Sequence, residues 1–530
     1  MQNSDNKEKN IKAEKTTATL GIIVVIAVII LVIAVTVTFL VRNYTKGATE
    51  PEEAVRDYIQ SLPIVTSDGS RLFIDNEPQT EEGKKLYELL KTTWSYEIEN
   101  AEKEGRKASV NVKFACPNTS EMAPLVKAKM EEELESVVRD AQSKSEIYNS
   151  DDTYKQEVIL SVYEKALPAV CVNPPMITVN AVLNLEKGFG GWSIVNKAVL
   201  TDTIDSRSEE LQNTATENLK YISKVYIIPE SADKAPAPNQ SLFGETTDVN
   251  LIRELLEKPY AQNLINGQNL CWNESIQILD GTSISYYLDE SILMLQWQEK
   301  EAGMVGTFAE VFIADGSQLR RKIAGDSFGD MNFQTTSSFA KEVNAVLAVG
   351  GDFYNHARNC GIVVYNREIY RLDYETCDDC YITSDGDMLF SYRNQFKSEE
   401  EVKKFIEEND IIYSLAFGPV MIDNGKDMTP DWYLWGEIND TYARSALGLL
   451  GEHHYLTMNL NCGTNDTYGY ATLRQASDAM IKRNCIKAYT LDGGQTATTA
   501  VNGVLKNPVQ FGSEKQISDI IYFASAIPET

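Results

Sequence analysis

The sequence predicts an α+β protein in which a membrane-spanning helix near the N-terminus precedes two soluble domains. An uncharged apolar run lies between residues 16 and 41, and residues 50–205 pass from helical periodicity to alternating strands. Residues 241–530 then carry glycine-containing blocks behind short apolar runs. Because one hydrophobic core rarely grows beyond roughly 250–300 residues, the 530-residue chain is expected to form at least two domains.

The apolar run predicts an uncleaved anchor over residues 18–42, behind a cytoplasmic tail of residues 1–17. The stretch from Leu20 to Leu40 is as long as the ~20 apolar residues that cross a bilayer. No small-residue cleavage site follows it, which favours an anchor over the alternative, a cleaved signal peptide. The positive-inside rule then places the N-terminus in the cytoplasm and the bulk of the chain outside the cell. The residues that decide this are Lys7, Lys9, Lys12 and Lys15 before the run, against Arg42 and Lys46 after it.

The acidic composition narrows the classes of partner. The net charge is −28 and the sequence pI is about 4.6. Nucleic-acid binding needs a basic face, so this balance argues against a nucleic-acid partner and against a body lying flat on anionic lipid. A locally basic pocket for a small anion stays compatible with it.

Cysteines and histidines argue against a metal site and leave open whether cysteines such as Cys377 and Cys380 form a disulfide or stay as buried thiols. Eight cysteines are an even number, as expected for an extracellular protein, but their pairing is open. Cys116 and Cys171 could pair within the first domain. Cys377 and Cys380 have the spacing of half a zinc site, but no second such pair follows and the histidines lack ligand spacing. The sequence therefore predicts no metal and no cofactor.

Residues 50–205 show helices followed by an antiparallel sheet. Pro51 opens one helix and another follows Thr80, after which apolar residues alternate with polar ones around Val112. A strand, a glycine turn and a strand starting at Trp192 close the region. This order resembles the NTF2-like cone. No convergent set of acids, bases or metal ligands appears, so a spacer or interaction domain is predicted.

Residues 206–240 are predicted to link the two domains. Residues 206–223 could form a connecting helix, and residues 229–240 are rich in proline and alanine with little apolar content.

In the second domain, residues 241–530, blocks centred on glycine follow one another in a set order. An apolar run ends in Gly350-Gly351-Asp352-Phe353-Tyr354, and another ends in Asp492-Gly493-Gly494. Between them lie Phe417-Gly418-Pro419 and Arg444-Ser445-Ala446-Leu447-Gly448. These blocks resemble the phosphodiester glycosidase domain, the N-acetylglucosamine-1-phosphodiester α-N-acetylglucosaminidase-like family, from roughly Leu295 to Phe523. The resemblance implies a mixed α/β domain that cleaves a sugar from a phosphodiester.

Three positions depart from the family pattern. Gly350 stands where members usually have Asn, and Asn461-Cys462-Gly463 stands where many have Asp-Gly-Arg. Gln495-Thr496 replaces Gly-Ser. These departures keep an alternative open, in which the domain has lost catalysis and binds a sugar phosphate or envelope polymer. A purely structural envelope protein is the third possibility.

Cleavage of a sugar phosphodiester needs a cation for the phosphate and a carboxylate for the cation-like anomeric carbon. With the resemblance, Arg444 is the predicted phosphate ligand, against the alternative of an exposed strand-end arginine. Asp492 is the predicted base or cation stabiliser, against a plain Asp-Gly-Gly turn. Asp352 is the second predicted catalytic carboxylate, against a surface loop.

Further predicted substrate-binding residues surround these three. Glycines allow close backbone approach and present N–H groups, although a tight turn would explain them equally. The set comprises Gly351, Gly493, Gly494, Thr496, His356 and Arg358. The sequence thus predicts a membrane-anchored hydrolase that acts on sugar-phosphodiester linkages of envelope or extracellular glycans, provided that Asp352, Arg444 and Asp492 converge.

Overall fold

The computed structural model describes residues 26–34, 48–69, 72–74, 77–195, 203–325, 328–352, 360–433, 440–461 and 471–528. The chain divides into two units, Met1–Lys220 and Tyr221–Thr530, called unit 1 and unit 2 below. The architecture is mixed α+β with several sheets.

The prediction of a transmembrane helix over residues 18–42 is wrong for this structure. None of the helices among the described residues combines the length and the apolar character that crossing a bilayer requires. Within that range the structure describes residues 26–34, which are helical. The rest of the range and residues 1–17 lie outside the described residues. The predicted single-pass membrane location, with the bulk of the chain extracellular, rested on that helix and is corrected with it.

Unit 1 joins helices to a four-stranded antiparallel sheet with strand order β3-β4-β5-β6. Along β4, Val110, Val112 and Phe114 are buried and alternate with more exposed residues, because successive side chains of a strand face opposite sides. Trp192 on β6 joins the same core. The likeness to the NTF2-like cone, and a role as spacer or interaction domain, stay predictions. The elements are α1 (Pro51–Gln60), β1 (Val65–Ser67), β2 (Leu72–Ile74), α2 (Glu81–Leu90), β3 (Ser95–Glu104), β4 (Lys107–Pro117), α3 (Thr119–Asp140), α4 (Lys144–Ile147), α5 (Gln156–Cys171), β5 (Met176–Gly188), β6 (Gly191–Ile194) and α6 (Ile204–Thr216).

The predicted linker, residues 206–240, contains both helix and packed chain. Helix α6 covers its first part, with Leu211 buried in unit 1. Ile228 and Ala235 are buried in a core cluster of unit 2. Arg320 explains this packing, because its buried guanidinium donates to backbone carbonyl oxygens of the proline-rich stretch, including that of Ala232 at 2.8 Å. The predicted domain limits otherwise stay predictions.

Unit 2 contains three antiparallel sheets, nine-stranded (β19-β18-β22-β20-β21-β10-β9-β8-β7), five-stranded (β11-β25-β12-β23-β24) and five-stranded (β14-β13-β17-β15-β16). The strands are β7 (Phe243–Thr246), β8 (Ile284–Leu288), β9 (Ile292–Glu301), β10 (Met304–Ile313), β11 (Leu319–Ile323), β12 (Leu347–Gly350), β13 (Gly361–Tyr365), β14 (Glu368–Asp373), β15 (Asp379–Thr383), β16 (Met388–Ser391), β17 (Ile411–Leu415), β18 (Val420–Asp423), β19 (Lys426–Asp427), β20 (Arg444–Gly451), β21 (His454–Asn461), β22 (Lys487–Leu491), β23 (Thr499–Val501), β24 (Val504–Leu505) and β25 (Asp519–Phe523). The helices are α7 (Val249–Leu256), α8 (Pro259–Ile265), α9 (Thr336–Glu342), α10 (Glu399–Glu408) and α11 (Leu473–Ile481).

One core of unit 2 lies where the nine-stranded sheet faces the two smaller sheets. Leu447 and Tyr489 from the large sheet share a buried cluster with Ile521 and Leu415 from the smaller ones. The opposite face of the large sheet is covered by helices, with Ile252 of α7 and Met480 of α11 in a second cluster. Strand ends of different sheets therefore come together at the edges of the shared core.

Candidate functional site

Segments far apart in the sequence meet where β12 and β22 end and β20 and β25 begin. Asp492 N donates to Gly351 O at 3.1 Å, and Gly351 N donates to Asp519 O at 3.0 Å. Gly494 N donates to Ala443 O at 2.8 Å. The antiparallel register causes this meeting, because β20 and β22 run side by side in opposite directions. The Asp-Gly-Gly turn thus lies against the backbone at the blocks that carry Asp352 and Arg444.

Close backbone packing explains the glycines. A Cβ on Gly351 would lie 2.1 Å from Asp519 Oδ2, and one on Gly493 would lie 2.4 Å from Ala443 O. A Cβ on Gly350 would lie 2.3 Å from Thr496 O, so the asparagine of the family pattern does not fit this backbone. Gly494 has φ +64°, a left-handed conformation that favours glycine.

The carboxylate of Asp352 belongs to a buried charge network. It accepts hydrogen bonds from Arg321 Nη2 at 2.6 Å and, through its other oxygen, from Ala416 N at 2.7 Å. Arg321 Nε donates to Asp519 Oδ2 at 2.9 Å, and Arg321 Nη1 donates to Ser414 O. Asp352 is fully buried, and it binds protein groups through both oxygens. Its side chain therefore fixes the end of β12.

Two further carboxyl groups of this region, those of Asp519 and Asp492, have raised pKa values. Burial raises the pKa of Asp519 to about 6, although Arg321 opposes the shift. Burial also raises the pKa of Asp492 to about 7, against the hydroxyl of Thr496 and the charge of Lys515. The Thr496 hydroxyl donates to Gly493 O at 2.6 Å. Asp492, partly exposed at the turn, is thus poised to exchange a proton near neutral pH.

Arg444 adjoins the turn through its backbone, while its side chain is engaged elsewhere. Its Nε donates to Ala471 O at 3.0 Å and its Nη2 to Asp440 O at 2.8 Å. The guanidinium carbon lies 5.3 Å from the ring centroid of Tyr442, within cation–π range. Arg444 is 8% exposed. The structure therefore brings the three predicted blocks together but does not turn all three side chains into one hollow.

Two predicted residues, His356 and Arg358, lie outside the described residues, as do Cys462 and Gly463. The cysteines that the structure records as free thiols include Cys116, Cys171, Cys377 and Cys380. Within the described ranges, no group of three or more His, Cys, Asp or Glu side chains is arranged to hold a metal ion.

Sequence reasoning missed Arg321, Asp519 and Lys515. Arg321 had a usable signal, because an Arg-Arg-Lys run interrupts an otherwise apolar strand, β11. A charged side chain on a buried strand needs a partner of opposite charge inside the protein. Asp519 opens an apolar strand much as Asp492 follows one. Lys515, in a polar loop, carried no signal.

Residues 343–524 match the family model of the phosphodiester glycosidase. For this segment, the match confirms the family resemblance and the hydrolase class that the sequence predicted. A curated relative is the SPbeta prophage-derived uncharacterized protein YomE of Bacillus subtilis (strain 168), 23% identical over 200 residues. That match covers 37% of this chain and 30% of YomE, so the chain spans less than a third of that relative.

Two solved structures are also similar. The catalytic domain of zebrafish N-acetylglucosamine-1-phosphodiester α-N-acetylglucosaminidase, auto-inhibited by its pro-peptide, gives a TM-score of 0.35 at 18% identity. It covers 44% of this chain and 83% of that one. A hypothetical protein from Synechocystis gives 0.34 at 14% identity, over 46% of this chain and 64% of that one.

Proposed function

We propose that the phosphodiester glycosidase domain of unit 2 hydrolyses the bond between the anomeric carbon of a sugar and the oxygen of a phosphodiester. The observation that carries the proposal is Asp492, a carboxyl group with a pKa of about 7 at a glycine turn inside the matched segment. A glycan that contains sugar-phosphodiester linkages is the substrate class. The narrower prediction of envelope or extracellular glycans depended on the membrane anchor and loses that support.

In the proposed reaction, the ionised form of Asp492 takes a proton from a water molecule. The water oxygen bonds to the anomeric carbon, and the bond from that carbon to the phosphate oxygen breaks. The electron pair leaves with the phosphate, which departs as a monoester and needs little help from an acid. The negative carboxylate also stabilises the cation-like anomeric carbon.

Asp352 takes a positioning role in this proposal. Its carboxylate binds Arg321 and Ala416 N, so it holds the chain at Gly351, and Gly351 O accepts the N–H of Asp492. Arg444 orients the start of β20 beside Gly493, since its guanidinium donates to backbone carbonyl oxygens.

The test is sugar release by the purified full-length chain from N-acetylglucosamine 1-phosphodiesters and related sugar 1-phosphodiesters. Asp492→Asn is expected to abolish release, while Asp478→Asn, on the exposed face of α11, keeps it. Absence of release from every such substrate by the wild-type chain contradicts the proposal.

A binding module without catalysis is the second candidate. The departures from the family pattern at Gly350, Asn461, Gly463 and Gln495 favour it. Binding of sugar phosphates by the wild-type chain and by Asp492→Asn alike, without turnover, selects this alternative.

A further inference from the structure

The loop between β24 and β25 lies beside the Asp-Gly-Gly turn. Gln495 Nε2 donates to Ser513 O at 3.0 Å. Gln510 Oε1 lies 3.4 Å from the position that a Cβ on Gly494 would take. Residues 510–515 therefore border the same turn that carries Asp492. We call these residues the 510–515 loop.

Lys515 gives this loop an available cation. Its side chain is exposed, and its charge lowers the pKa of Asp492, which places it within electrostatic reach of that carboxyl group. Among the described residues, no carboxylate lies within 4.0 Å of the Lys515 ammonium. The arginines nearest the turn differ, because Arg321 is fully buried between two aspartates and Arg444 donates to carbonyl oxygens.

Phe511 gives the loop an exposed aromatic ring. Its backbone has φ 63° and ψ 11°, the left-handed region that bulky side chains rarely adopt. The residue is 61% exposed. A single exposed aromatic residue is ordinary, but one held by a left-handed backbone in the loop that borders the Asp-Gly-Gly turn is available for contact with a ligand bound at that turn.

The charge on the site also calls for such a cation. The phosphate gains negative charge as the bond to the sugar breaks, and the ionised carboxylate of Asp492 near it is also negative. A positive group close by therefore lowers the energy of that state. An ammonium on a flexible stem suits a phosphate as a point charge.

We propose that the 510–515 loop forms the subsite for the phosphate and its aglycone, in which the Lys515 ammonium pairs with phosphate oxygens and the Phe511 ring packs on an apolar aglycone. This subsite rests on the proposed hydrolase function, and it narrows the substrate to sugar 1-phosphodiesters whose aglycone carries an apolar surface. The cation for the phosphate is thereby Lys515 rather than Arg444.

The first experiment compares Lys515→Gln, Lys515→Arg and the control Lys482→Gln on a sugar 1-phosphate benzyl diester. Lys515→Gln is expected to raise KM roughly tenfold, the size of one charge-assisted contact. It also removes a charge that lowers the pKa of Asp492, so the acidic limb of the kcat/KM profile moves to higher pH. Lys515→Arg restores both properties, and Lys482→Gln changes neither. A residue with only a structural role would show no shift of the pH profile.

The second experiment compares benzyl and methyl diesters in Phe511→Ala. The ratio of KM values is expected to change several-fold in favour of the methyl diester, since only the benzyl group loses its packing partner. Equal effects on both diesters contradict the assignment of the ring.

The outcomes separate this inference from the proposed function. Activity in the wild-type chain with an unchanged KM and pH profile in Lys515→Gln overturns the subsite alone. If the wild-type chain hydrolyses no sugar phosphodiester, the proposed function fails, and calorimetry with N-acetylglucosamine 1-phosphate then decides the subsite. Binding that disappears in Lys515→Gln supports it, and binding unaffected by that change, or no binding at all, overturns it.

Discussion

Asp492 donates its backbone N–H to the carbonyl oxygen of Gly351 at 3.1 Å, and this bond joins the two acidic blocks of unit 2. Gly351 N in turn donates to the backbone oxygen of Asp519. The side chains of Asp519 and Asp352 both form ion pairs with Arg321. The titratable carboxyl group of the site is therefore tied through two backbone bonds to a buried network of one arginine and two aspartates. Changes to either part are expected to affect activity, stability or both.

Replacing Asp492 by Asn is expected to lower kcat by roughly 10²-fold or more, the usual contribution of a general base. Because the base is the ionised form, kcat/KM of the wild-type chain should rise with pH and level off above about pH 7, the pKa of Asp492. Steady-state rates between pH 5 and 9 measure both effects. A profile that instead falls through this range contradicts the role as base.

The same substitution should stabilise the fold at high pH. Burial raises the pKa of Asp492 to about 7 in the folded chain. Between the unfolded and folded pKa values the unfolded chain binds fewer protons, so the free energy of unfolding decreases as pH rises toward 7. A neutral amide at this position has no charge to desolvate. Asp492→Asn should therefore be more stable than wild type at pH 8 by roughly 1–4 kcal/mol.

Urea unfolding at pH 8 and pH 5 measures this difference, which should shrink at the lower pH. Asp478→Asn, whose carboxyl group is exposed, should show no comparable pH-dependent gain. An Asp492→Asn chain that is less stable than wild type at pH 8 contradicts the raised pKa of this carboxyl group.

Replacing Arg321 by Met should destabilise unit 2 by roughly 3–5 kcal/mol, because Asp352 and Asp519 would remain buried without their cation. Adding Asp352→Asn and Asp519→Asn to the same chain should recover part of the loss, since the remaining groups are neutral. Thermal unfolding of the single and triple variants tests this coupling. Equal stability of Arg321→Met and wild type would show that the network is dispensable.

Replacing Gly351 by Ala should lower stability and activity together. The new Cβ would lie 2.1 Å from Asp519 Oδ2, so the carboxylate or the strand end has to move, at a cost of about 1–3 kcal/mol. Gly188→Ala is the control, because its Cβ would meet only a carbonyl oxygen at 4.0 Å. Melting temperature and kcat are measured for both; a fully active Gly351→Ala chain contradicts the close packing described.

Parts of the site were predictable because they depend on local sequence. The apolar run before Asp492 predicted a strand, and β22 ends at Leu491 directly before the Asp-Gly-Gly turn. The ordered glycine blocks predicted a phosphodiester glycosidase domain from roughly Leu295 to Phe523, and the family model matches residues 343–524. The apolar run at residues 18–42 shows the opposite case, since its composition predicted a membrane span that no described helix provides.

Side-chain roles were decided by partners that the sequence places far away. Asp352 is drawn inward by Arg321, which also binds Asp519, 198 positions along the chain. Arg444 turns to the carbonyl oxygen of Ala471. The partner of each side chain depends on which donors and acceptors the fold places near it, because burying a charge without a partner costs too much free energy.

The sequence by itself determined the strand before the Asp-Gly-Gly turn, the acidic residue at that turn and the resemblance of residues 343–524 to the phosphodiester glycosidase family. Tertiary structure alone decided that Asp352 is a buried anchor, that Asp492 keeps a raised pKa, and that Lys515 is the available cation. The physical reason is that strand periodicity and turn chemistry act over a few residues, whereas desolvation and ion pairing depend on the groups that folding brings around each charge.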